Sequence, residues 1–243
     1  MFHAIPWVLA LAACAGSTSR TKVGDVEVIT VRRSYNNAHA VRLPEGTVLV
    51  DAGLERDAEA LAGDLLAAGV DPAELSLVVL THGHADHAGG AGWFHERYGV
   101  PVLAGSGDLD LLEDGRNDLL CPTDAVARRW LDAAQAETFT PFRPDHRVSE
   151  PFDLASLGLR GRVIPVHGHT EGSVVLDLGD AVFAGDLLRG SVTGHAATEH
   201  LFQCDPEHAR ADVRAVLADR AASTWFVGHF GPLSQERVAE FAE

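Results

Sequence analysis

The chain has 243 residues, 46% of them hydrophobic, with 19 Lys and Arg against 35 Asp and Glu, a formal net charge of −16. That length and apolar content support one domain with a substantial core and exclude collagen-like or disordered readings, while the charge repels polyanions, so no nucleic-acid partner is expected. The single lysine, Lys22, precedes the body of the domain and removes Schiff-base and P-loop chemistry, and three cysteines are too few for a disulfide framework.

Residues 1–13 carry no Lys, Arg, Asp or Glu, and Ile5 to Ala13 form an apolar run broken only by Pro6. The run is too short to span a bilayer and has the length of a signal-peptide core. It ends in Leu11-Ala12-Ala13-Cys14, and residues 14–22 open with the tether-like Ala15-Gly16-Ser17-Thr18-Ser19. Leu-Ala-Ala-Cys resembles the lipobox of bacterial lipoproteins. The resemblance implies a signal peptide over residues 1–13 and a lipidated Cys14. The chain would then sit in the bacterial cell envelope, held on a membrane by its N-terminal lipid at the periplasmic side or the cell surface. Cys121 and Cys204 are left to pair or to stay free.

From Val23 to Glu243 short β-type runs alternate with helical stretches without an internal repeat, so a single α/β domain is expected over residues 23–243. Val26 to Val31 and Val48 to Val50 are β-branched runs, the second closed by the turn signal Asp51-Ala52-Gly53. Ala58, Leu61, Leu65 and Ala68 recur at three- and four-residue steps before Gly69, which predicts a helix from about Glu55 to Ala68. Leu77 to Leu80 reads as a buried strand, a helix begun near Gly89 runs to Tyr98, Pro101 to Leu103 is a short strand, and Thr123 to Ala136 has helical periodicity. Thr138 to Pro151, with Pro141, Pro144 and Pro151, reads as a lid or linker, and the stretch from Ala104 to Glu150 is otherwise unassigned. Strands follow at Val163 to Val166, Val174 to Leu178 and Ala181 to Ala184, the last two joined through Gly179-Asp180. Asp205-Pro206 opens a helix to Asp219, and Thr224 to Val227 is a final strand.

Several apolar runs end in metal-competent residues: Leu80 leads to His82, Val166 to His169, Ala184 to Asp186 and Val227 to His229. Side chains just past strand ends converge on one rim of a sheet. His82-Gly83-His84-Ala85-Asp86-His87 is the densest of these segments. On an extended backbone His82 and His84 project to the same side, whereas the adjacent Asp86 and His87 diverge, so two ions are the natural solution. His169 can give a third imidazole to the first ion, His229 can complete the second set with Asp86 and His87, and the two oxygens of Asp186 can bridge.

With Val50-Asp51-Ala52-Gly53, His82 to His87, His169, Asp186 and His229 in this order, the chain resembles the metallo-β-lactamase superfamily over roughly Val23 to Glu243. The resemblance implies an αββα sandwich, two mixed β-sheets flanked by helices, with a dinuclear site at their edge. It assigns His82, His84 and His169 to one zinc, Asp86, His87 and His229 to the other, and Asp186 with a hydroxide to both. Asp51 then orients the ligand loop. His195 and His200 follow Asp186 in a glycine-bearing loop and are candidates to touch substrate. His39, His95, His146 and His208 are expected to be ordinary surface or helix residues.

Two Zn²⁺ against two carboxylates and a hydroxide leave a net charge of about +1, suited to an anionic substrate or a developing oxyanion. Hydrolysis of an ester, thioester or lactone of a small molecule by hydroxide formed at the metals is the expected reaction, with Asp86 holding the nucleophile or taking its proton. The segment Thr81 to Gly90 and the bridging Asp186 look most like the thioesterase and lactonase side of the superfamily, glyoxalase II included. Only fourteen residues follow His229, short of the C-terminal helical domain that holds glutathione in glyoxalase II. Three alternatives stand beside this reading: a β-lactamase, an iron-containing redox member of the sulfur-dioxygenase kind, and a non-catalytic metal-binding lipoprotein.

Overall fold

The computed structural model describes residues 16–193, 196–218 and 223–243. The signal-peptide and lipidation readings, with Cys14, and the substrate-side reading of His195 lie outside the described residues.

Seven strands form the first sheet in sequence order: β1 (Ser17–Val23), β2 (Val26–Arg33), β3 (Asn36–Leu43), β4 (Gly46–Val50), β5 (Leu75–Val79), β6 (Val102–Gly105) and β7 (His146–Val148). The first four are antiparallel, and β4 to β7 run parallel. Parallel neighbours need crossovers, and these carry α1 (Ala58–Ala67), then α2 (Ala85–Ala88) and α3 (Ala91–Tyr98), then α4 (Leu109–Asp114) and α5 (Ala125–Gln135). The second half of the chain supplies β8 (Phe152–Asp153), β9 (Arg162–Pro165), β10 (Val174–Asp177), β11 (Ala181–Phe183), a small pair β12 (Arg189–Gly190) and β13 (Ala197–Thr198), α6 (Pro206–Ala218), β14 (Thr224–Phe226), β15 (Leu233–Ser234) and α7 (Gln235–Ala242). The second sheet has the order β15-β14-β11-β10-β9-β8, with β14 parallel to β11 and the other neighbours antiparallel.

The period of two along a strand divides each apolar run between two layers. Val28, Val48, Val50, Leu77 and Val79 meet Val163, Val174, Leu176, Phe183 and Phe226 between the sheets. Their chain neighbours Ile29, Leu49, Val78 and Leu80 turn the other way, onto Leu61 and Leu65 of α1 and Phe94 of α3. On the far side of the second sheet, Val175, Val182 and Trp225 pack with Val213 and Val216 of α6 and Val238 of α7. The result is the αββα sandwich, and the near-continuous apolar runs are those of strands covered on both faces.

Four elements differ from the expectation. Residues 17–22, read as tether, form most of β1; their side chains are largely exposed, and backbone pairing with β2 holds them in place of any apolar pattern. Thr138 to Pro151, read as a lid or linker, contains β7, which closes the first sheet against β6. The strand β3 carries Asn36, Asn37 and His39 as buried residues, a composition that does not read as core. The helix α7 follows the last strand, capped by the Ser234 hydroxyl, which accepts from the Arg237 N–H.

Candidate metal centre

The parallel pairs β4/β5 and β11/β14 end at a common rim, and β9 points the same way. Asp51 stands just past β4, the segment Thr81 to His87 past β5, His169 past β9, Asp186 past β11 and His229 past β14. The structure brings all of these residues together.

Ring nitrogens of His82, His84 and His169 form one cluster, and donor atoms of Asp86, His87 and His229 form another. Across the first, His84 Nδ1 and His169 Nε2 are 3.1 Å apart; across the second, His87 Nε2 and His229 Nε2 are 3.4 Å apart. Asp186 lies between them. Its Oδ2 is 3.8 Å from His82 Nε2, 3.9 Å from His169 Nε2, 3.3 Å from His87 Nε2 and 3.1 Å from His229 Nε2. Asp86 Oδ2 approaches His229 Nε2 at 3.5 Å and His87 Nε2 at 3.6 Å.

Each of these five rings turns one nitrogen inward and meets an acceptor with the other. His84 Nε2–H donates to Asp118 Oδ1 at 2.8 Å, His87 Nδ1–H to Asp51 Oδ2 at 2.8 Å, His169 Nδ1–H to Gln203 Oε1 at 2.8 Å and His229 Nδ1–H to the Tyr35 carbonyl at 2.8 Å. His82 Nδ1 faces Thr81 Oγ1 at 3.1 Å; that hydroxyl donates to Asp51 Oδ2 and so accepts from the ring. An outward N–H leaves the inward nitrogen with a lone pair, the tautomer a cation requires. Asp51 also accepts the Thr81 N–H at 2.7 Å, so one carboxylate fixes both the ligand loop and the His87 ring.

Two buried atoms at the focus, His82 Nε2 and Asp186 Oδ1, have no hydrogen-bond partner. Burial, reinforced by the neighbouring imidazoles, holds His82 and His169 well below the usual histidine range. Burial opposes charge on His87 and His229 as well, but Asp186 and Asp86 outweigh it and raise both. For Asp186 burial is outweighed in turn by His200, His229 and His87, and its carboxyl is held well below the carboxylate range. Orphaned buried donor atoms and lone pairs converging on a carboxylate fit a divalent cation, and imidazole with carboxylate suits zinc or iron.

His200 also belongs to this cluster, with Nε2 3.0 Å from Asp186 Oδ2 and its ring against those of His169 and His229. Burial pushes its pKa down to about 4. His39, expected on the surface or a helix, is buried in β3, where it bonds Thr30 and the Val227 carbonyl. Cys121 and Cys204 are joined in a disulfide. Sequence reasoning missed Asp118 and Gln203, which anchor two of the rings, and Tyr35, whose half-exposed ring stacks on His229 at 6.0 Å. None stands near a candidate ligand in the chain; the one sequence signal is that Gln203 adjoins Cys204.

The chain matches the family described as the Metallo-beta-lactamase superfamily over residues 31–229. It is 30% identical over 195 residues to a hydroxyacylglutathione hydrolase of Alkalilimnicola ehrlichii, covering 80% of this chain and 60% of that protein. A hydroxyacylglutathione hydrolase of Anaeromyxobacter dehalogenans is 32% identical over 160 residues, covering 65% of this chain and 49% of that protein. The chain thus spans about half to three-fifths of the length of these curated relatives. A solved subclass B3 metallo-beta-lactamase of Bradyrhizobium japonicum superposes with a TM-score of 0.62 at 17% identity, covering 90% of this chain and 81% of that one. At that identity the similarity is one of fold.

Proposed function

We propose that this chain, which belongs to the metallo-β-lactamase superfamily, is a metal-dependent hydrolase that holds two zinc ions and cleaves an ester, thioester or lactone of a small molecule. What supports the reading is one arrangement: two three-residue clusters on either side of a buried Asp186 whose Oδ1 has no hydrogen-bond partner. His82, His84 and His169 would hold one ion, Asp86, His87 and His229 the other, and Asp186 both.

Bound there, zinc would lower the pKa of water toward neutrality and polarise a carbonyl. The remaining work falls to the chain. Asp86 is the least buried carboxylate of the centre and stands where it can orient a water or take its proton. The low-dielectric surroundings of Asp186 and the five anchored rings strengthen each of these interactions and keep the ligand atoms from reorganising. His200 brings its Nε2 to 3.0 Å from the same Asp186 oxygen that faces His87, and Tyr35 offers a ring on which a substrate can rest.

The relatives are named for hydroxyacylglutathione, so an S-acyl thiol ester heads the substrate panel, followed by a lactone, a simple ester and a β-lactam. The zinc-loaded chain is expected to turn over a member of the first three, and Asp86→Asn to lower kcat by about 10²-fold or more. Zinc-loaded protein inert toward the whole panel, or iron with a visible absorption band in the protein as isolated, would overturn the reading. For the N-terminus we propose lipidation at Cys14, on the strength of Leu11-Ala12-Ala13-Cys14; Cys14→Ser should then release the protein from the membrane fraction.

A further inference from the structure

Asp108 is 2% exposed, far from any ligand in sequence, and belongs to no part of the chemistry above. It lies past β6 in the short turn Ser106–Asp108 that leads into α4. Its carboxylate receives three hydrogen bonds, all from segments that carry ligands. The Gly83 N–H, between His82 and His84, donates to Oδ2 at 2.7 Å. The Thr170 hydroxyl, next to His169, donates to the same oxygen at 2.7 Å, and the Gly172 N–H donates to Oδ1 at 2.8 Å. Thr170 is further fixed by Ser173, whose Oγ accepts its N–H at 3.0 Å.

The close approach depends on missing side chains. A Cβ on Gly83 or Gly172 would strike Asp108 itself, and one on Gly105 or Gly107 would strike the backbone of Glu171 and Gly172. Two loops that are 85 residues apart at His84 and His169 are thereby drawn together until those rings meet at 3.1 Å. No comparable tie runs from Asp108 to Asp86, His87 or His229.

We infer that Asp108 is a positioning residue that sets the separation of the two loops holding His82, His84 and His169, and thereby the affinity of that half of the centre alone. The inference rests on the two-ion reading given above. All three partners donate, so the ionised carboxylate matches them, whereas an asparagine of the same shape turns an NH2 group toward at least one N–H or O–H.

The test is a zinc titration of the full chain and of Asp108→Asn against a chromophoric chelator, with the visible spectrum of the Co²⁺-loaded proteins as a second readout. The wild type should bind two ions. In Asp108→Asn one of the two affinities should fall about tenfold or more, as for partners that orient ligands from outside the coordination sphere. The other affinity should stay within about twofold, and the cobalt spectrum should lose the contribution of one ion. Unchanged affinities, or two affinities that fall together, would overturn the inference. If Asp108→Asn does not fold, Thr170→Val removes one of the three bonds and should weaken the same single ion several-fold; no such weakening also overturns it. A wild type that binds one ion in all contradicts the two-ion reading and takes this inference with it.

Discussion

His39 packs edge-on against Phe183 and Phe226, donates from Nε2 to the Val227 carbonyl at 3.3 Å and accepts the Thr30 hydroxyl at Nδ1 at 2.9 Å. The neutral ring is fully bonded there, and burial pushes its pKa down to about 4 from 6.5. Between those values the unfolded chain binds more protons than the folded one. The stability contributed by the neutral ring is therefore complete above pH 6.5 and is lost as pH falls toward 4. In denaturant melts of metal-free protein, the stability gap between wild type and His39→Gln should narrow by up to roughly 3 kcal/mol from pH 7 to pH 4. A gap independent of pH would contradict this. Gly228 makes a different argument at the same scale. A Cβ there would collide with Asp186 Oδ1 and the His87 ring. Gly228→Ala should keep its circular-dichroism spectrum yet retain fewer than two ions by metal analysis, and two retained ions would show that the site tolerates the methyl group.

The segment around Asp118 and the segment around Gln203 form one paired element. Gln203 N–H donates to the Cys121 carbonyl at 2.8 Å, Thr123 N–H to the Leu201 carbonyl at 2.9 Å, and the Cys121–Cys204 disulfide closes a separation of 83 residues. Each segment holds the outer nitrogen of one ring, His84 from Asp118 and His169 from Gln203. Replacing both cysteines by serine should cost roughly 2–4 kcal/mol of stability, and thermal melts should show a larger loss for zinc-loaded than for metal-free protein. Equal losses would mean that the bridge does not bear on the centre. These tertiary ties mark the limit of what the sequence shows. The segment His82 to His87 is legible because its candidate ligands are contiguous, and His169, Asp186 and His229 because each ends an apolar run beside a glycine. The strand β3 is not: Asn37 spends its side chain on the Val227 and Phe230 carbonyls at 2.8 and 2.7 Å, nearly 200 residues away, so its composition answers to a distant loop rather than to a core. Asp108, Asp118 and Gln203 are hidden for the same reason. His200 reads from its loop as a candidate to touch substrate, but its approach to Asp186 goes with the pairing of Pro122 with Phe202 and the adjoining disulfide.

Across the whole molecule the two sheets act as one frame: parallel strands in each bring their ends to the same rim, and four separate stretches of chain deliver candidate ligands there. The frame is held by burial between the sheets, while the candidate ligand atoms are polar groups withdrawn from water, a cost that a bound cation would offset. Metal should therefore stabilise the protein strongly, and a chelator should lower its melting temperature. The net charge of −16 acts on the same scale, adding attraction for divalent cations and opposing highly anionic substrates outside the site. The most direct measurement is anomalous diffraction at the zinc edge from crystals of the zinc-loaded full chain. Two peaks are predicted, one among His82, His84 and His169 and one among Asp86, His87 and His229, with Asp186 between them. A single peak, or peaks away from these residues, would contradict the account.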